Sequence, residues 1–292
     1  MKLVSASRRT DIPAFYAAWF MNRIRWGYCH WIDPFGRRVH RVMLTPEECA
    51  GIVFWTRYPA PLLGGLGNLR ARGFRFYFHV SINGYGKPLE ARNPNLTNAL
   101  RAFRALSDKI SPALTLWRYD PILLSEGTPV EYHLRNFSSL ARELAGYTGR
   151  CYFSFADFYG KTRRNLGQAG VQFVEPDLEA KLSLVRELKS IAEAHGIALY
   201  SCCEDAVLAA GVRKAHCVDL ELLRSDLVLK PCPTRKQCGC VESVDIGAYD
   251  TCGFDCVYCY ATNSWEAARE RARRHDPNDP ALWRPTGPGT GL

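Results

Sequence analysis

The sequence predicts an α/β protein built on a parallel sheet, arranged either as a (β/α) barrel or as a doubly wound sheet. Three observations lead there. Short apolar, β-branched or aromatic runs recur along the chain, and helical patterns lie between them. The runs are continuous rather than alternating, as in strands buried on both faces. At 292 residues, 47% of them hydrophobic, the chain can build one large barrel or two small domains.

The strand runs, in order, are KLVSASRRTD (2–11), GIVFWTR (51–57), FRFYFHVSIN (74–83), LTLWRYD (114–120), CYFSFAD (151–157) and IALYSCCED (197–205). SVDIGAYD (243–250) is a weaker seventh. Between them, Asp11 followed by Pro13 reads as the N-cap and first-turn proline of a helix running to about Arg25. YCHWIDPFGRRVHRVML (28–44) is patterned as an inserted hairpin turning at Pro34-Phe35-Gly36. Thr45-Pro46-Glu47-Glu48 has the spacing of a capping box. Helical periodicity follows at Leu96, Leu100, Phe103, Leu106 and Ile110, and again from Leu134 to Leu144. Asp177 caps a long helix that Gly196 ends. Residues 1–275 are expected as a single domain with a cysteine-rich segment at 202–262, and 276–292, rich in Pro and Gly, as an irregular tail.

The strand ends carry Arg8, Arg9, Asp11, Arg57, Asn83, Arg118, Asp120, Asp157, Cys202 and Glu204. In barrels the catalytic groups gather at that end of the sheet. Arg118 and Asp120, directly after a Leu-Trp core run, are the catalytic candidates, with mutual pairing as their structural alternative. Among the histidines, His195 reads as a favourable cation at a helix C-terminus and His133 as a helix-surface or core residue. His79 sits on a buried strand, where it would line the barrel.

No apolar run approaches the ~20 residues that cross a bilayer, and the first residues lack the apolar core of a secretory signal. The chain is expected to be cytoplasmic. The net charge of +9 suggests an anionic partner, although dispersed arginines on a solvated surface explain it more simply. Nine of the 12 cysteines lie between 202 and 259. In a reducing compartment that crowding points to metal or redox chemistry rather than disulfides.

DTCGFDCVYCY (250–260) places Cys252, Cys256 and Cys259 at C-x3-C-x2-C. A structural zinc site normally uses two C-x2-C pairs or adds histidines. Three close thiolates instead suit an iron–sulfur cluster with one iron left without a protein ligand. The spacing, with Tyr258 before the last cysteine, resembles the radical S-adenosylmethionine (SAM) superfamily. SASRRTDIPAFYAAWFMNRI, IVFWTR, LWRYDPI, EYH, SFADFY and CGCVESVDIGAYDTCGFDCVYCYA together resemble a bacterial family of domains of unknown function that carries such cysteines at its C-terminus.

The resemblance implies a [4Fe–4S] cluster on Cys252, Cys256 and Cys259. SAM would be chelated at the open iron and cleaved reductively to a 5′-deoxyadenosyl radical, which takes hydrogen from an unidentified substrate. It further implies a one-electron donor such as flavodoxin or ferredoxin. Tyr258 would cover the adenine or the cluster. In such proteins the cysteine loop normally follows the first barrel strand. Here SVDIGAY would be that strand and KLVSAS the second, so the expected fold is a partial TIM-like (β/α) barrel of six to seven parallel strands, circularly permuted. The segment after the second strand lacks a Gly-Gly-Glu-like stretch for the SAM amino group. Arg8, Arg9 and Asp11 stand there instead and are the cofactor-binding candidates.

A second iron–sulfur cluster would draw on Cys202, Cys217, Cys238 and Cys240, against a structural zinc site or buried thiols as alternatives. Two other functions compete with the leading reading. One is a nucleic-acid-modifying or repair lyase of the same chemistry; the other is a non-enzymatic zinc module that contacts nucleic acid.

Overall fold

The computed structural model describes residues 1–35, 38–223, 227–233 and 235–284. In chain order the strands are β1 (Lys2–Ala6), β2 (Tyr28–Ile32), β3 (Val39–Met43), β4 (Cys49–Thr56), β5 (Phe76–Ser81), β6 (Thr115–Ile122), β7 (Leu124–Ser125), β8 (Arg150–Phe155), β9 (Phe173–Val174), β10 (Ala198–Ser201), β11 (Arg213–Lys214) and β12 (Val244–Asp245). The helices are α1 (Ile12–Phe15), α2 (Ala17–Trp26), α3 (Leu66–Ala71), α4 (Leu96–Ile110), α5 (Val130–Leu144), α6 (Gly160–Gln168), α7 (Leu178–Ala194) and α8 (Trp265–Arg274).

The main sheet has eight strands in the order β11-β10-β8-β6-β5-β4-β1-β12, all joined in parallel. Its ends, β11 and β12, do not pair, so the sheet is open rather than a closed barrel. All seven expected strands are in it; the eighth, the exposed Arg213-Lys214 pair, carries no apolar signal. The C-terminal strand β12 lies beside β1, with Val4 opposite Val244 and Ser5 opposite Asp245. This adjacency is what a permuted strand order requires.

The strands read as apolar on both faces because both faces are covered. On one, Val4, Ile52, Phe54, Phe78, Trp117 and Phe153 pack with residues of α2, α4, α5 and α7. On the other, Leu3, Val53, Tyr77, Leu116, Tyr152 and Tyr200 pack against Cys202, Ala215, Cys217, Val218, Leu223 and Cys240. A cysteine-bearing stretch of irregular chain, not a helix, therefore fills the second face.

Local chemistry explains most boundaries. Asp11 accepts from the Ala14 N–H at 3.0 Å and opens α1. The helix then breaks at Tyr16, whose hydroxyl donates to the Thr251 carbonyl at 2.6 Å. The expected continuous helix to Arg25 is thus two helices. The Thr45-x-x-Glu48 box makes only a turn, Cys49 N–H to Thr45 C=O, because β4 begins at once. At the end of α7, Gly196 (φ +70°) and Ile197 bond back to Glu193 and Ala192, closing a Schellman motif. The hairpin forms as β2 and β3 in antiparallel register; the Gly36 of its turn lies outside the described residues. Of the tail, residues 276–284 are irregular but docked: Trp19 Nε1 donates to the Asp279 carbonyl, and Ala281 and Leu282 are buried. Among the described residues no helix is long and apolar enough to cross a membrane.

Candidate metal centre at the C-terminal end of the sheet

In a parallel sheet every strand delivers its following loop to the same end, and there the polar residues collect. The anchor on the β12 side is Asp245. It accepts from Ser5 Oγ at 2.9 Å, Ser7 Oγ at 2.6 Å, and the backbone N–H groups of Arg8 at 2.8 Å and Gly247 at 3.0 Å. Gly247 is needed at this crossing, since a Cβ there would lie 2.0 Å from Ser7 Oγ.

The cysteine loop follows. Asp250 (φ +54°) opens it, and its carboxylate receives the N–H groups of Asn263 and Ser264 across the loop's base. Asp255 (φ +54°) turns it again, and the Cys259 N–H bonds the Cys256 carbonyl at 3.1 Å. The far side is pinned to the segment after β5, through Val257 N–H to Leu89 C=O and Arg92 N–H to Phe254 C=O. Cys252, Cys256 and Cys259 thus share one tethered loop. Burial pushes the thiols of Cys252 and Cys256 up, that of Cys256 to about 12, with the Arg57 guanidinium pulling the other way on Cys256. Cys259 Sγ accepts from the Ala261 N–H at 3.3 Å.

Beside the loop lies a polar network. Arg57 donates to Glu90 Oε1 at 2.7 Å and to Tyr258 OH at 2.6 Å. Tyr258 OH also bonds Glu90, and Asn83 Nδ2 reaches both at 3.2 Å. Burial works against the Arg57 charge, while Cys256, Glu90 and Tyr258 hold it in place. Asn83 continues the chain, accepting from the Asp120 N–H at 2.8 Å and donating to its carbonyl at 3.1 Å. Asp120 is held by Arg118 Nε at 3.1 Å, by Arg118 Nη2 at 2.5 Å and by Ser154 Oγ. Arg118 Nη1 then donates to Cys217 Sγ at 3.2 Å.

A second group of thiols begins at that sulfur. Cys202 Sγ lies 3.3 Å from Cys217 Sγ and 3.6 Å from Cys203 Sγ. Cys203 interacts with Cys238, Cys238 with Cys240, and Cys240 with Cys217, which closes a ring. Cys202, Cys217, Cys238 and Cys240 are therefore brought together as the sequence suggested; Cys203, not foreseen, joins them. Among the described residues no group of three or more His, Cys, Asp or Glu side chains is arranged to hold a metal ion.

The other candidates divide. Arg8 is stacked on Trp55 at 4.7 Å; burial opposes its charge, and Cys240, Asp245 and Cys217 support it. Arg9 lies over Trp31 and Tyr249, 5.6 and 5.3 Å from the ring centres. Asp11 is occupied by the chain itself, accepting from Thr56 Oγ1 at 2.7 Å and Arg57 N–H at 2.6 Å besides its cap. Burial raises its carboxyl to about 6. Tyr258 has its hydroxyl tied into the Arg57–Glu90 network rather than free over the loop. His79 is buried, with Nε2 on the Cys217 carbonyl at 2.8 Å; His133 is a core residue between Tyr119 OH and the Leu123 carbonyl. Sequence reading missed Glu90 and Asp245 as site residues. The first sits in an aperiodic loop, and the second in the weakest strand run.

Residues 3–261 match the family described as Domain of unknown function (DUF1848), and the chain belongs to that family. Among curated proteins, none matches the sequence.

Proposed function

We propose that this member of the DUF1848 family is a radical SAM enzyme on a permuted partial barrel, with Cys252, Cys256 and Cys259 as the protein ligands of a [4Fe–4S] cluster. The observation that carries the reading is the placement of these thiols. They share one loop, anchored through Asp245 to β1 and through Val257 to the segment after β5, at the C-terminal end of a parallel sheet. The donor set fits the group: three sulfurs at C-x3-C-x2-C and no histidine or carboxylate among them, the composition of an iron–sulfur site with an open iron. When bound, the cluster and SAM supply reductive cleavage to a 5′-deoxyadenosyl radical, a hydrogen-atom abstractor.

The chain's own residues bind and orient. Arg57 brings a buried cation beside Cys256, complementary to an anionic thiolate centre. Glu90 and Asn83 fix Arg57 and Tyr258 in one arrangement, so neither must be ordered when a cofactor arrives. Arg9, at the end of β1, supplies a cation for a carboxylate, while the neighbouring Arg8 guanidinium lies on Trp55 and faces Cys240, Asp245 and Cys217. Asp11 is the acidic group nearest in sequence to them, and its carboxylate would meet an ammonium only by exchanging one of the bonds it accepts from Ala14, Thr56 and Arg57.

The test is anaerobic reconstitution with iron and sulfide, followed by dithionite and SAM. Brown protein that releases 5′-deoxyadenosine, both lost when the three cysteines become alanine, supports the reading. Absence of iron and of that product rejects it.

A further inference from the structure

The irregular stretch that covers the second face of the sheet builds a site of its own. It gathers Cys202 and Cys203 from the end of β10, Cys217 from the turn after β11, and Cys238 and Cys240 from the stretch before β12. Sulfur contacts run round all five, with Cys202 Sγ 3.3 Å from Cys217 Sγ and 3.6 Å from Cys203 Sγ. Cys29, Cys49 and Cys151, by contrast, are buried in the apolar core on the other face of the sheet.

The backbone is shaped to bring them together. Cys203 takes φ +63°, a left-handed conformation that only a few per cent of non-glycine residues adopt. Gly239 lets the Cys238–Cys240 stretch approach His216 and the Ala215 carbonyl, where a Cβ would sit 2.8 and 3.1 Å away. His216 Nδ1 meets the Gly239 carbonyl at 2.7 Å, and Tyr77 OH donates to the Cys217 carbonyl at 2.7 Å. Cationic donors face the sulfurs. Arg118 Nη1 reaches Cys217 Sγ at 3.2 Å, and Arg235 Nη2 stands 3.9 Å from Cys202 Sγ. Arg8 Nη2, buried and without a hydrogen-bond partner, belongs to a guanidinium supported by Cys240 and Cys217.

The geometry points to a second thiolate-bound metal centre held by the ring of Cys202, Cys203, Cys217, Cys238 and Cys240, with Arg118 and Arg8 as its cationic neighbours. The ring does not close on a single ion as it stands, so loading requires thiols to turn about their single side-chain torsion. An iron–sulfur cluster and a zinc ion share this all-thiolate chemistry. Through Arg118, Asp120 and Asn83 the centre joins the hydrogen-bonded network beside the Cys252–Cys259 loop. The proposal does not depend on SAM chemistry at that loop.

The experiment uses the full chain with Cys252, Cys256 and Cys259 replaced by alanine, so that only the second centre remains. It is reconstituted anaerobically with ferrous iron and sulfide and, separately, with zinc. The expected result is retention of about four iron and four sulfide per chain, or of about one zinc, abolished by adding Cys217→Ser and Cys240→Ser. Retention of none of these, or retention unchanged by the two serines, overturns the proposal. Failure of the first reading shows separately, as equal iron in the wild type and the triple variant. A readout independent of variant folding is iodoacetamide labelling of the wild type with and without a chelator. Metal-dependent protection of the five ring thiols, with exposed Cys232 labelled in both states, supports the site. Equal labelling of the five overturns it.

Discussion

Replacing Asp245 by asparagine tests whether its carboxylate holds the C-terminal strand in place. Two of its four donors are serine hydroxyls, which can rotate; the other two are backbone N–H groups, which cannot. Arg8 N–H points at Oδ2 and Gly247 N–H at Oδ1. Whichever way an amide is seated, its NH2 group therefore faces one fixed N–H. A buried donor left unsatisfied costs about 1–3 kcal/mol, and the surviving bonds lose their charge assistance. The expected destabilisation is about 2–4 kcal/mol, read as a fall in urea midpoint at unchanged m-value. Hydrogen exchange should quicken at the Ile246 amide, which bonds the Ser5 carbonyl. Iron content should fall too, because the cysteine loop hangs from this strand. A variant within about 0.5 kcal/mol of the wild type, as for an ordinary surface substitution, would refute the assigned anchoring role.

Arg118→Met leaves Asp120 partly buried without its cation, a change that costs about 3–5 kcal/mol in buried pairs; Asp120→Asn in the same chain should recover part of it in a double-mutant cycle by chemical denaturation. Glu90→Gln should keep iron bound while slowing 5′-deoxyadenosine formation by about tenfold or more through misplacement of Arg57 and Tyr258, measured by chromatography of the quenched reaction. Burial holds the His133 imidazole down at about 4, against 6.5 for a free group. The unfolded chain then binds this proton more readily, so stability is full above about pH 6.5 and declines as pH falls toward 4, by up to ~3 kcal/mol. Asp11, raised to about 6, acts in the opposite sense over much of the same window. His133→Gln should therefore flatten the acid limb of a denaturation series, and Asp11→Asn should steepen it.

The strands were legible because burial on both faces leaves unbroken apolar runs, and the long helices because their apolar positions recur at helical spacing. Arg213-Lys214 was not, since an exposed two-residue edge strand bonds through its backbone and leaves no mark in side-chain type. The break at Tyr16 comes from a hydroxyl bond to Thr251, 235 residues away, which no local window contains. The thiols of both groups could be named from sequence because only cysteine supplies them. Glu90 and Asp245 could not, because a carboxylate gains its role from donors that other elements deliver. Tyr258 was visible in the motif, but its attachment to Arg57 and Glu90 depends on the β4 and β5 loops meeting the cysteine loop.

The bond from Ser5 to Asp245 spans 240 residues, and at about 5–20 residues per second synthesis takes ~12–50 s to cover them. Throughout that interval β1 can pair with β4 but keeps its other edge bare, an invitation to any stray strand. The strand that finally caps this edge also carries the cysteine loop into place. A chain interrupted before residue 244 would thus be both unsealed and without the loop that carries the proposed ligands Cys252, Cys256 and Cys259.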